Sequence, residues 1–143
     1  MPTRVADRLE RSGLLNATVD ATRTITFDDD LTVSPHAFKI DNQTFDHDRV
    51  DIRAKLGSVE EWTLVNNTDD EHPFHIHIND FIVTSINGEP VMDPHLQDTA
   101  MIPARGRVTI RQRFEDFVGK WVMHCHILGH EDLGMMATVE IVR

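Results

Sequence analysis

Short runs in which apolar and polar residues alternate dominate this sequence and decide what it can fold into. Four of the clearest are TRTITF at 22–27, VDIRAKL at 50–56, VEEWTLVN at 59–66 and RVTIRQRF at 107–114. Alternation with a period of two, in segments rich in β-branched residues, is typical of strands with one buried face. Turn signals such as NGEP at 87–90 separate these runs. Many short strands at near-regular spacing predict an all-β antiparallel sandwich or barrel with Greek-key connections.

The first 21 residues lack this alternation and are interpreted as an N-terminal extension, partly helical. Thr3 is placed to cap a short helix, and Gly13 is placed to end it. Residues 22–143 are predicted to form a single domain, because a chain of 143 residues can bury a core without disulfides. The lone cysteine, Cys125, has no partner in the sequence for an intramolecular disulfide and needs another explanation.

The charge balance argues against two classes of partner. The chain has 14 basic and 24 acidic residues, for a net charge of −10, without a basic cluster. Binding to nucleic acid or to an anionic membrane surface is therefore not expected. No run approaches the roughly 20 apolar residues of a membrane span. The opening MPTRVADRLERSG also lacks the apolar core of a signal peptide. The chain as given is expected to be soluble, and its compartment stays open.

Six of the nine histidines fall in two short windows, HPFHIH and HCHILGH. They are His72, His75 and His77 in the first window and His124, His126 and His130 in the second. Successive strand residues point to opposite faces, so His75 and His77 share a face, as do His124 and His126. Cys125 then faces the other way. The remaining histidines, His36, His47 and His95, stand alone and are interpreted as ordinary surface or core residues.

The face that holds Cys125 predicts a blue copper site. A thiolate, two imidazoles and a long axial thioether form the trigonal arrangement typical of that site. Cys125, His130 and Met135 follow one another closely, and His72 would supply the second imidazole. Met135 would also suit core packing. Met136 competes for the axial position, although it is better placed to begin the last strand.

The opposite face would hold four imidazoles and no thiolate, from His75, His77, His124 and His126. Imidazole suits copper, zinc, iron and nickel, so these residues alone do not identify their metal. The neighbouring Cys125 site favours copper. A short covalent path through the backbone would join the two sites.

The motifs HPFHIH and HCHILGHEDLGMM resemble the copper signatures of the C-terminal cupredoxin domain of multicopper oxidases, the superfamily of laccases and bilirubin oxidases. The likeness extends from about Arg23 and includes FDHDRVDIRAKLGSVEEWTLVN. It implies a cupredoxin-like Greek-key β-sandwich and an oxidoreductase that takes single electrons at a type 1 copper. Those electrons would pass through Cys125 to a type 2 and type 3 copper cluster that reduces the co-substrate dioxygen to water. The donor would be a small phenol, an amine or a metal ion, and family members are usually periplasmic or secreted.

The resemblance also implies a role for each residue of the two motifs. The type 1 copper would be bound by His72, Cys125 and His130, with Met135 as the axial ligand. The type 2 copper would be bound by His75, and the type 3 pair by His77, His124 and His126. Glu131 matches an acidic residue that helps to supply protons. The alternative at that position is an ordinary solvated carboxylate.

The sequence departs from the family in the number of histidines. The trinuclear cluster needs eight, and the matching motifs of this chain supply four. In the family the others come from an N-terminal cupredoxin domain, which would also place an acidic residue near the cluster, or from a neighbouring subunit. Two copies meeting face to face would supply eight, with both His75 side chains on the type 2 copper. Oxidase activity is therefore expected to depend on assembly.

The assembly and the function each keep an alternative. A homodimer is favoured, and a homotrimer with interfacial copper is the rival. The second flanking histidine, His126, argues against a mononuclear interfacial site of the nitrite reductase kind. The chain would otherwise be a mononuclear blue copper electron-transfer module, or the C-terminal domain of a larger oxidase that is inactive alone.

Overall fold

The computed structural model describes residues 13–77, 79–115, 117–125 and 134–143. Within these residues a 3-10 helix at Leu14–Asn16 precedes eleven strands. The strands are β1 (Ala21–Asp30), β2 (Ala37–Ile40), β3 (Ile52–Lys55), β4 (Val59–Asn66), β5 (His72–Ile76), β6 (Phe81–Ile86), β7 (Glu89–Pro90), β8 (Thr99–Ile102), β9 (Arg107–Arg113), β10 (Gly119–Cys125) and β11 (Met136–Val142). The helix expected before Gly13 falls in residues 1–12, outside the described residues. The described part of the chain contains no helix long and apolar enough to cross a membrane.

The strands form two sheets, in the orders β2-β1-β4-β9-β6-β7 and β3-β11-β10-β5-β8. This arrangement confirms the predicted all-β, cupredoxin-like sandwich. It also corrects the expectation of a purely antiparallel one, because β1 pairs with β4 and β3 with β11 in parallel. Parallel neighbours need a crossover connection, and here the chain visits the other sheet before it returns.

The core lies between the two sheets and follows the alternation in the sequence. In β4 the even-numbered residues point inward, and Trp62 and Leu64 are buried. Phe27 from β1 and Phe74 from β5 meet edge to face across the core, with ring centroids 6.1 Å apart. Burial of each such side chain contributes about 1.5–3 kcal/mol to stability. This packing holds the two sheets together and buries the inner face of the sheet that carries the histidines.

A smaller apolar cluster lies on the outer face of the six-stranded sheet. Leu14 of the 3-10 helix packs there with Val59 and Ile82. Arg111 donates hydrogen bonds from Nη1 to the carbonyl oxygens of Leu14 and Leu15, both at 3.1 Å. The segment just before β1 is therefore attached to the sheet.

The register between β5 and β10 positions both histidine windows. His124 pairs with His75, and Cys125 pairs with Phe74, in an antiparallel ladder. Strand β8 lies on the other side of β5 and pairs Thr99 with His75. The two windows are thus adjacent strands of one sheet.

Candidate metal centre

The inner face of the five-stranded sheet brings His72 and Cys125 together. Nδ1 of His72 lies 3.4 Å from Sγ of Cys125, and both residues are fully buried. Phe27 stacks on the His72 ring with centroids 6.2 Å apart. Met135 is fully buried in the same core cluster, and its carbonyl oxygen accepts a hydrogen bond from the Cys125 amide at 3.1 Å. The Cys125 thiol and the His72 imidazole therefore meet in the core, and the Met135 thioether is buried in that core as well.

Gly134, the residue before Met135, has a backbone conformation and surroundings that require glycine. Its backbone angle φ is 110°, a value that residues other than glycine rarely adopt. A Cβ atom added there would lie 2.8 Å from Cβ of Thr44 and 3.1 Å from the carbonyl oxygen of Phe38. Met136 begins β11, as expected, and pairs with His124 on the outer face. Of the two methionines, Met136 therefore lies on the side of His124, and Met135 is the one that is fully buried in the core.

The outer face of the same sheet brings together His75, His77 and His124. Each offers a ring nitrogen within 4.8 Å of the others. The Nε2 atoms of His77 and His124 lie 3.3 Å apart. His124 is buried, His75 is half-buried and His77 is exposed. The three imidazoles form a convergent set that reaches the surface.

Backbone carbonyl oxygens fix the tautomers of two of these rings. Nδ1 of His75 lies 2.9 Å from the carbonyl oxygen of Asp98, and Nδ1 of His124 lies 3.1 Å from that of Cys125. A carbonyl oxygen only accepts, so each Nδ1 carries the proton. Nε2 then has the lone pair that a metal requires, and the ring is held in orientation.

An ion pair joins two loops beside the Cys125 region. Nε of Arg105 donates to Oδ1 of Asp69 at 2.8 Å, and the Arg105 amide donates to the carbonyl oxygen of Thr68 at 3.0 Å. This hydrogen bond, with the charge of the guanidinium, lowers the pKa of the Asp69 carboxyl and raises the pKa of Arg105. The loop that leads into β5 is thereby held against the loop before β9.

Three residues of the predicted sites lie outside the described residues. They are His126, His130 and Glu131, within residues 126–133. Their roles as type 3 ligand, type 1 ligand and proton relay stay predictions. The solitary histidines His36, His47 and His95 all lie at the surface. His47 is near Asp46 and Asp48, in an exposed group.

The sequence interpretation missed the groups that hold the histidines in place. Oγ1 of Thr68 lies 2.7 Å from Nε2 of His72, and Oγ1 of Thr99 lies 3.1 Å from Nδ1 of His75. Thr68 had one signal, since it is four residues before His72 in a polar turn. The carbonyl oxygen of Asp98 had no signal in the sequence, because every residue has a backbone carbonyl group. Only the folded structure brings this one beside His75.

The sequence from residue 14 to residue 143 matches the multicopper oxidase family. The chain belongs to the multicopper oxidase family. This is a family of copper-dependent oxidoreductases, and the fold is that of its cupredoxin domains. The described donors fit copper, because thiolate and thioether select soft metals and imidazole binds copper well.

Several members of the multicopper oxidase family are similar to this chain. A laccase of Bacillus stratosphericus is 36% identical, over 73% of this chain and 24% of its own length. A bilirubin oxidase of Albifimbria verrucaria is 38% identical, over 57% of this chain and 16% of its own length. The solved multicopper oxidase of Campylobacter jejuni, described as a metallo-oxidase, superposes with a TM-score of 0.81 at 30% identity. That superposition covers 88% of this chain and 31% of the other. The chain spans about a quarter of the length of the first curated relatives that it matches.

Proposed function

We propose that this chain carries the type 1 copper site and half of the trinuclear site of a laccase-like oxidase. One observation carries the proposal: His72 and Cys125 meet at 3.4 Å inside the sandwich, directly behind the convergent histidines on the outer face. Two donor sets of different chemistry on opposite faces of one sheet suit two different copper sites. A chain that only stored or transported copper would not need both.

His72, Cys125 and Met135 from the inner face, together with His130, would hold the type 1 copper. Copper supplies the one-electron redox chemistry when it is bound, with a small phenol, an amine or a metal ion as donor and dioxygen as acceptor. The chain's own contribution is a set of donor side chains that the fold buries in its core. Cys125, His72 and Met135 have no exposed surface, so water is excluded from the thiolate.

On the outer face, His75 would serve the type 2 copper, and His77, His124 and His126 the type 3 pair. His124 and Cys125 are adjacent residues, so covalent bonds link the two faces. The hydrogen bond from Nδ1 of His124 to the Cys125 carbonyl oxygen adds a second link. Glu131 would hold and release protons beside the cluster.

A partner surface is needed to complete the cluster. Four histidines per chain are half of the eight that the family uses, and His77 is exposed on the outer face. A second copy in a face-to-face dimer would supply the remainder, with the two His75 side chains meeting at the twofold axis. The alternatives are a homotrimer and an N-terminal cupredoxin domain, which the greater length of the relatives would accommodate.

A mononuclear blue copper electron-transfer module is the second candidate. The observation in its favour is that the described inner-face donors lie together within one chain, whereas the outer-face histidines reach the surface. Such a module would transfer electrons between partners without reducing dioxygen.

Native mass spectrometry of the copper-loaded chain separates these proposals, because one spectrum reports both the number of chains and the number of metals. We expect a dimer with five coppers, two of type 1 and three shared. Cys125→Ser should give the same dimer with three coppers. A monomer with one copper would support the electron-transfer module and refute self-assembly.

A further inference from the structure

A chain of buried hydrogen bonds lies behind His72, on the side away from Cys125. Nε2 of His72 is 2.7 Å from Oγ1 of Thr68, which is 2.8 Å from Oδ1 of Asn66. The exposed fraction of each of these three residues is 1% or less. These three side chains are therefore shielded from bulk water, and the positions of their protons follow from the protein groups around them.

The orientation of the Asn66 amide is settled by its neighbours. Nδ2 lies within hydrogen-bonding distance of the carbonyl oxygens of Asp70 at 2.7 Å and Pro103 at 3.0 Å. Carbonyl oxygens require a donor, so this end of the amide is the NH₂ group. The opposite end, Oδ1, accepts from the Thr68 amide at 2.9 Å. Asn66 therefore presents an acceptor to the Thr68 hydroxyl.

The single proton of the Thr68 hydroxyl is committed to an acceptor other than His72. Two acceptors lie near it: Oδ1 of Asn66 at 2.8 Å and the carbonyl oxygen of Asp70 at 3.1 Å. If the hydroxyl donated its proton to His72, no proton would lie between Oγ1 of Thr68 and these two acceptor oxygens, and the lone pairs would repel one another. Thr68 therefore accepts from His72, and Nε2 of His72 carries the ring proton.

We propose that Thr68, held by Asn66, is a positioning residue that fixes His72 as the Nε2–H tautomer and so presents the lone pair of Nδ1 toward Cys125. This inference rests on the proposed type 1 site. Nδ1 is the nitrogen that faces Sγ at 3.4 Å. In the opposite tautomer Nδ1 would carry a proton that points toward the metal position. The free-energy cost of removing that proton would oppose metal binding.

The hydrogen bond also tunes the imidazole as a ligand. An acceptor on the far N–H makes the ring more electron-rich and a stronger donor at the metal-facing nitrogen. Stronger donation favours oxidised over reduced copper. Loss of the Thr68 hydroxyl should therefore weaken copper(II) binding and raise the reduction potential of the type 1 copper. Partners of this kind typically change metal affinity about 10- to 100-fold.

The test compares Thr68→Val, which removes the hydroxyl at nearly constant shape, with Thr68→Ser, which keeps it. Thr24→Val, on an exposed position of β1, is the matched control for the loss of a threonine hydroxyl. Nitrogen-15 NMR of the copper-free chain, with the imidazole neutral, reports the tautomer of His72. We expect Nε2–H in the wild type, Thr68→Ser and Thr24→Val, and a loss of that preference in Thr68→Val.

Copper(II) titration and redox titration of the blue absorption then measure the consequence. We expect Thr68→Val to bind about 10- to 100-fold more weakly with a raised potential, and Thr68→Ser to restore both. An Nδ1–H tautomer in the wild type would overturn the inference, even if Thr68→Val does not fold. Unchanged affinity and potential in a folded, blue Thr68→Val would also overturn it. A wild type that shows Nε2–H but binds no copper in a blue form would instead refute the proposed function.

Discussion

Nδ1 of His124 lies 3.1 Å from the carbonyl oxygen of Cys125, the next residue in β10. The two side chains nevertheless lie on opposite faces of the sheet. The buried thiol faces the core beside His72, and the imidazole joins His75 and His77 on the outside. Because each face has its own side chains, substitutions should separate the two proposed copper sites.

Cys125→Ser should abolish the blue absorption of the copper-loaded chain. A serine oxygen does not replace the thiolate that gives a type 1 copper its colour. The measurement is the visible spectrum, with circular dichroism to establish that the variant folds. Blue colour in a folded Cys125→Ser chain would refute the assignment.

His75→Ala and His126→Ala should keep the blue absorption and lose dioxygen reduction. His75 lies on the outer face and His126 is predicted to be a ligand of the type 3 pair, so both changes leave His72, Cys125 and Met135 in place. Oxygen consumption with a phenolic donor, recorded beside the visible spectrum, checks this outcome. If either variant turned over like the wild type, the outer face would not be where dioxygen reacts.

Gly134→Ala should destabilise the chain by about 1–3 kcal/mol, since it forces a side chain into a positive φ. The new Cβ would also press on Thr44 and on the Phe38 carbonyl oxygen. Gly57→Ala is the matched control, because Gly57 also has a positive φ of 85° but nothing within 4 Å of the added atom. Denaturant unfolding should show a larger loss for Gly134→Ala. Equal losses would mean that the close approach to Thr44 contributes nothing.

Arg23→Met should destabilise the chain by about 1–3 kcal/mol, because it removes the charged partner of a buried carboxylate. Glu60 is 3% exposed and accepts from Nε of Arg23 at 2.6 Å and from Trp62 at 2.9 Å. Arg23 is itself one third exposed, which reduces the value of the pair.

Arg53→Met provides the comparison for Arg23→Met. Arg53 pairs with Glu140 at 3.3 Å while its side chain is 65% exposed, so we expect a loss of less than about 1 kcal/mol. Adding Glu60→Gln to Arg23→Met should recover part of the stability. Equal effects of Arg23→Met and Arg53→Met in urea unfolding would contradict the importance of the buried carboxylate.

The strand pattern was readable from the sequence because its period is local. The alternation in VEEWTLVN predicted a strand with one buried face, and β4 buries Trp62 and Leu64 as that pattern indicates. It did not indicate that the polar residues Glu60 and Asn66 on the same face are also buried. The parallel pairs were not readable, because they depend on where the chain returns after visiting the other sheet. The helix predicted between Thr3 and Gly13 stays a prediction, because residues 1–12 lie outside the described residues. The roles of His126, His130 and Glu131 stay predictions for the same reason.

The sequence by itself determined that Cys125 and His124 face opposite ways, since neighbouring strand residues always do. Only the tertiary structure decided that His72 meets Cys125 across 53 residues and that His77 meets His124 across 47. Those contacts depend on the register of β5 against β10, which is fixed by burial of the core. A slip of one residue would exchange the two faces. The Thr68 hydroxyl and the Asp98 carbonyl oxygen were likewise placed by the fold, because a hydrogen bond between distant residues leaves no local pattern.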